Sequence, residues 1–235
     1  MTHWRLCGNL LPMECIRFYV FHLRSGITKL LLNYLRRFLR RQSVEIRSQF
    51  NTELEKFWRP YLVMVWKFNK SLNKLKGNEI KRFINNVDNT VSWLKNKFPN
   101  LSHMNYFCEA LSLWKTISQF LFISKIDDNT NYEEELARIE IMIEKFYNIG
   151  RLTFLTDKDE GDHETFYVHC LRFYIVPHAK ITFDRHGVGI GIFTMQGFEH
   201  RNKESKHIYN CHNNNSGNMC HPTMTRLYDK FYYNC

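Results

Sequence analysis

Ile27-Thr28-Lys29-Leu30-Leu31-Leu32-Asn33-Tyr34-Leu35-Arg36-Arg37-Phe38-Leu39-Arg40-Arg41 is the stretch that sets the fold class of this chain. Leu30, Leu31, Tyr34, Leu35 and Phe38 recur at three- and four-residue intervals, the spacing that lines one face of an α-helix. Lys29, Arg36, Arg37, Arg40 and Arg41, continued by Arg47, dominate what remains. The segment is a basic amphipathic helix. Three roles suit it: a core helix with a solvated outer face, a contact to a DNA or RNA backbone, or a membrane-surface helix.

Working outward, the same period continues. Residues 50–76, with Phe50, Leu54, Trp58, Leu62, Val65 and Leu72, read as helix, with Pro60 placed to kink it or start a new one. Gly77-Asn78 stops that run. A third helix spans Glu79 to about Lys97 and ends at Phe98-Pro99-Asn100. His103 to Ser124 is the most apolar and is expected to form the interior of a bundle. Asp127 to Asn131 is a polar turn with several N-cap candidates, and Glu133, Glu134 and Glu135 occupy a first helical turn, where the dipole favours acids. The next helix is therefore expected from about Tyr132 to Ile149, before Gly150. Upstream, residues 1–26 show no clear period and are read as an irregular lead-in broken by Gly8, Pro12 and Gly26.

Composition agrees. Nineteen Phe, twelve Tyr and five Trp against ten Gly and five Pro favour long helices packed through large side chains. The net charge of +10 is unevenly spread. Residues 1–82 hold 17 Lys/Arg against 5 Asp/Glu, whereas residues 127–165 hold 4 against 12. Basic ends separated by an acidic connector suit a polyanion, because each phosphate neutralised by Lys or Arg releases counterions; a solvated basic face is the alternative. Seven scattered cysteines without a C-x-x-C pair are read as reduced thiols of an intracellular protein. Pro12, Glu14 and Arg17 interrupt the apolar run Leu10 to Leu23, so neither a signal peptide nor a membrane span is expected.

The organisation is thus an irregular lead-in at 1–26, a basic and aromatic helical bundle at 27–150, an acidic connector at 151–164, and C-terminal helices at 165–235. Thr165 to about His186 reads as a helix bent at Pro177, and Gly187 to Met195 as a turn or short extended segment, because three glycines in five residues oppose a helix. Gln196 to about Asn210 is expected to be helical and carries Glu199 among Arg201, Lys203 and Lys206. Such a carboxylate either pairs with neighbouring bases or holds a divalent cation beside a phosphate. Cys211-His212 and Cys220-His221, with His207 nearby, have zinc-ligand chemistry but no zinc-site spacing.

Tyr167-Val168-His169-Cys170-Leu171, then Pro177, then Gly187-Val188-Gly189-Ile190, then Gly197-Phe198-Glu199-His200-Arg201-Asn202-Lys203 resembles, in order and spacing, the end of the catalytic core of Transib transposases and the V(D)J recombination-activating recombinase. The resemblance covers about 40 residues. It implies that Glu199 is the last acid of a DDE triad holding Mg²⁺ or Mn²⁺, in a two-metal phosphoryl transfer on an RNase H-like core. It also implies that Asn202, Lys203 and Lys206 face DNA, with Arg201 alongside, that His169 is a zinc ligand, and that residues 27–165 are a helical insertion; Arg36, Arg37, Arg40 and Arg41 are the DNA-contact candidates that the basic helix itself offers. A second zinc histidine falls at Tyr174, and the paired cysteines of the family are missing. The only Asp before Asp127 is Asp88, inside a helical pattern, so the two strand-borne acids have no candidates. The expectation is a mainly α, transposase-derived, DNA-binding chain of the nucleus or another intracellular site. It does not bind membranes and does not cut DNA alone, and its partners are DNA and either a second copy or an upstream catalytic segment. The alternative is a helical protein-interaction module with no nucleic-acid role.

Overall fold

A computed structural model of the chain describes residues 20–58, 75–127, 131–151, 156–157 and 163–194. All of them lie in the unit Met1–Thr194. The chain is mainly α: eight α-helices make up most of the described residues. They are α1 (Val20–Arg40), α2 (Val44–Trp58), α3 (Gly77–Asn85), α4 (Val87–Lys97), α5 (Ser102–Phe120), α6 (Tyr132–Gly150), α7 (Phe166–Phe173) and α8 (Ile175–His186). Thr156-Asp157 (β1) pairs antiparallel with His163-Glu164 (β2), and among the described residues that is all the sheet there is. Among the described residues the architecture is a helical bundle without a complete RNase H sheet.

The apolar helix α5 is the axis. Arg24, Thr28, Tyr34 and Phe38 of α1 meet Ser118, Trp114, Phe107 and His103 of α5, so the two helices run antiparallel. On another side α4 also runs against α5, with Cys108 beside the Val91 carbonyl and Lys115 paired with Asp88. Against α6, Trp114 stacks on Phe146 with centroids 5.7 Å apart, and Phe120 stacks on Tyr132. Trp114, Phe107 and Ile117 are fully buried, as expected for an interior helix. Full burial of each such side chain contributes about 1.5–3 kcal/mol.

The outer helices dock through mixed contacts. Tyr132 of α6 lies 4.5 Å from Phe183 of α8, and Glu133 binds Lys180 at 2.8 Å. Arg172 of α7 grips both carboxylate oxygens of Glu144, at 2.7 and 3.2 Å, while its guanidinium lies 4.0 Å over Tyr147. From α2, Phe50 packs edge-on against Trp93 of α4.

Element boundaries depart from the expected ones at several places, among them the end of α5 at Phe120 rather than Ser124. The first helix begins at Val20 rather than Ile27, because Val20, Leu23 and Ile27 extend the buried stripe. Gly26 does not break it: the Tyr167 ring sits where a side chain would project. Gly77 opens α3 instead of only ending what precedes it, as the Glu79 carboxylate accepts the Lys76 backbone N–H at 2.6 Å and caps the turn. The helix expected over 79–97 is two, divided at Asn86, whose side chain donates to the Arg82 carbonyl at 2.9 Å and competes with the helical ladder. The helix expected over 165–186 also divides, at Tyr174, three residues before Pro177. The proline falls in the first turn of α8, where its missing N–H leaves nothing unsatisfied.

Candidate nucleic-acid interface

Arg36, Arg37 and Arg40 occupy the last turns of α1 and Arg41 follows directly, where positive charge meets the partial negative end of the helix dipole. Arg40 and Arg41 are exposed, whereas Arg36 and Arg37 are half-buried. Arg36 donates from Nη2 to Asn33 Oδ1 at 2.9 Å, and its Nε is buried with no hydrogen-bond partner among the described residues. Burial lowers its pKa, and the charges of Arg40 and Arg37 lower it further. Arg36 is therefore a packed member of the cluster, with Arg40 and Arg41 the ones turned outward.

Phe38 fixes what lies beside them. Its ring meets Phe98 edge-on at 5.0 Å and His103 at 5.8 Å. Tyr34, one turn earlier, packs on Phe107 at 4.8 Å; burial raises its phenol pKa, and nearby Arg37 and Arg41 pull it back down. Because α1 and α4 both run antiparallel to α5, the C-terminal turns of α1 and α4 and the N-terminal turn of α5 share one end of the bundle. Lys95, Lys97 and His103 are exposed there. Reading the arginines along one helix did not find these three. The available signal was the absence of any acid between Glu14 and Glu45 and between Asp88 and Glu109.

The glycine run has a packing cause. Gly187 ends α8 with φ 64° and donates to the Phe183 carbonyl at 2.8 Å, a left-handed cap that glycine adopts without strain. Gly189 and Gly191 then donate to the Ser124 and Ile123 carbonyls at 3.1 and 2.8 Å, leading into a 3-10 turn at Ile190–Thr194. A Cβ at Gly191 would lie 2.5 Å from the Phe122 carbonyl carbon, and one at Gly189 would overlap the Ile123 oxygen. Backbone is seated directly on backbone.

The predicted acid does not enter this account. Glu199, Arg201, Asn202, Lys203 and Lys206 lie outside the described residues, as do the Cys211-His212 and Cys220-His221 cluster and His207. His169 is half-buried, with its ring 4.8 Å from Phe173 and 5.5 Å from Tyr174. Among the described residues no three His, Cys, Asp or Glu side chains come together, so no step through Mg²⁺, Mn²⁺ or zinc is built on them. Cys108 and Cys170 are free and buried, and burial pushes their thiols up to about 11 and about 12, which leaves them protonated and unreactive.

No family model matches the chain, and no curated protein or solved structure is significantly similar to it. A shallow surface groove lined by Tyr106, Lys145, Asn148 and Ile149 adds little chemistry, since Lys145 is paired with Glu109 at 2.6 Å. No described helix is long and apolar enough to cross a membrane.

Proposed function

We propose that this chain binds DNA through the basic end of its helical bundle and derives from a DDE transposase, without cutting DNA on its own. The observation that carries the binding reading is the exposed pair Arg40 and Arg41 at the C-terminal end of a helix that contains no acid from Val20 to Arg40. Arginine forks at the end of a packed helix suit phosphate oxygens, and a polyanion relieves the mutual repulsion of clustered positive charges. The transposase origin rests on the resemblance at residues 167–203, in which Glu199 is the acid that would hold Mg²⁺ or Mn²⁺. DNA binding places its work in the nucleus or wherever else the cell keeps DNA.

Binding of labelled duplex DNA across a salt series tests this reading. Affinity that falls steeply and log-linearly with salt, and that Arg40→Ala/Arg41→Ala weakens, supports it; no binding at low salt defeats it. Incubation of supercoiled DNA with Mn²⁺ tests the inactive state: cleavage abolished by Glu199→Gln would overturn it. One observation favours a second reading, a protein-interaction module: Phe166 and Phe173 stand 52% and 47% exposed on α7. That reading expects self-association or capture of a partner that is lost in Phe166→Ser/Phe173→Ser while DNA is ignored.

A further inference from the structure

We infer that the DNA surface has a second limb, made by Lys95, Lys97 and His103 at the corner between α4 and α5, lying across Phe38 from Arg37, Arg40 and Arg41. This inference rests on the DNA-binding reading above and names the residues that complete its surface.

Three observations carry it. Topology brings the groups to one place: α1 and α4 end, and α5 begins, at the same end of the bundle. Apolar packing holds them there, since the Phe38 ring touches both Phe98, which is 7% exposed, and His103, while Trp93 meets Phe98 at 6.2 Å. Lys97 precedes Phe98 directly, so its backbone is anchored by that contact. Acids are absent from the local sequence: neither residues 15–44 nor residues 89–108 contain a single Asp or Glu. The nearest acids in sequence to the lysine corner are engaged elsewhere, Asp88 with Lys115 and Glu109 with Lys145.

The helix dipole explains part of this pattern. Lys95 and Lys97 end α4 as Arg37 and Arg40 end α1, where the negative end of the helix dipole favours cations. A dipole, however, acts on each helix separately. It does not require two basic ends to be clamped together by an aromatic residue, nor does it exclude acids from the facing helix, where like charges repel. A phosphodiester backbone accounts for both. Two limbs on different helices also fix the orientation of a duplex, which a single row of arginines does not, and phosphate contacts of this kind set position without reading sequence.

The test is fluorescence anisotropy of a labelled mixed-sequence duplex with the full chain over a salt series. Lys95→Ala/Lys97→Ala/His103→Ala is expected to weaken binding evenly across duplex sequences. It should also reduce the slope of log affinity against log salt by about two, one for each lysine. Lys125→Ala, at the other end of α5, is expected to leave the slope unchanged, and a slope reduced equally by that control overturns the assignment. An unchanged slope in the triple variant, with Arg40→Ala/Arg41→Ala still effective, overturns the second limb and leaves the DNA reading standing. Absence of DNA binding by the unmodified chain, including the case in which it is retained on phosphatidylserine vesicles instead, overturns both. If the triple variant loses its helical circular dichroism, Lys97→Gln alone replaces it, with an expected slope change of about one.

Discussion

Arg24 Nε donates to Ser118 Oγ at 2.5 Å across 94 residues of sequence, and the same guanidinium lies 4.1 Å over the Phe122 ring. Arg24 is only 6% exposed, and no carboxylate pairs with it among the described residues. Burial lowers its pKa to about 10, still well above neutrality, so it stays charged inside the bundle. The hydroxyl and the ring face are what the bundle offers it. Ser118→Ala is therefore expected to cost about 1–3 kcal/mol by orphaning a buried charged donor. Arg24→Met/Ser118→Ala should recover most of that loss, because removing both polar partners is far cheaper than removing one. Chemical denaturation of the three proteins checks this, and a double variant no more stable than Ser118→Ala counts against it.

The glycine run supplies a second prediction. Gly191→Ala and Gly189→Ala force a methyl group into the backbone of residues 122 and 123, and each is expected to destabilise by about 1–3 kcal/mol. Gly187 has open space around it and fails only through its φ of 64°, so Gly187→Asn should be tolerated better than Gly187→Val. Thermal melts of the four variants rank these two causes.

Acid sensitivity is expected from His178. It is 5% exposed on α8, and burial lowers its pKa below the usual 6.5. The unfolded chain thus binds a proton at a pH where the folded chain does not. Stability is complete above about 6.5 and falls as pH drops through and below that value. Comparing denaturation midpoints at neutral and mildly acidic pH, His178→Leu should lose less stability on acidification than the unmodified protein. Equal losses would remove His178 as the cause.

Arg172 ties α7 to α6 by a two-point ion pair and by its position over Tyr147. Glu144 in that pair is 43% exposed, so solvent screening limits its worth. Arg172→Lys keeps the charge and loses the fork and the stacking, with an expected cost of about 0.5–1.5 kcal/mol. Faster amide exchange in α7, with α5 unchanged, is the measurement that distinguishes local loosening from general destabilisation.

The helices were legible because their apolar residues repeat on one face, and burial of that face is what forms them. The interior role of the segment beginning at His103 followed from its apolar content, and the start at Tyr132 followed from a cap: Asn131 Oδ1 accepts the Glu134 N–H at 3.3 Å. The breaks were harder to read. Asn86 and Tyr174 interrupt helices within otherwise continuous stripes, Asn86 with its side chain on the Arg82 carbonyl, and the place of a side chain at Gly26 is taken by a ring from α7. Of the candidate interface, the arginines of α1 stood out in sequence, while Lys97 and His103 did not, because nothing local connects them to Phe38.

By itself, then, the sequence determined a mainly helical chain, its apolar central helix and a strong positive bias near its start, since period and charge are properties of neighbouring residues. Tertiary structure alone decided which helix ends meet, which arginine is packed and which are turned outward, and why Gly189 and Gly191 carry no side chain. Those outcomes depend on antiparallel packing between segments far apart in the chain, and contact energy between distant residues leaves no periodic trace along either one.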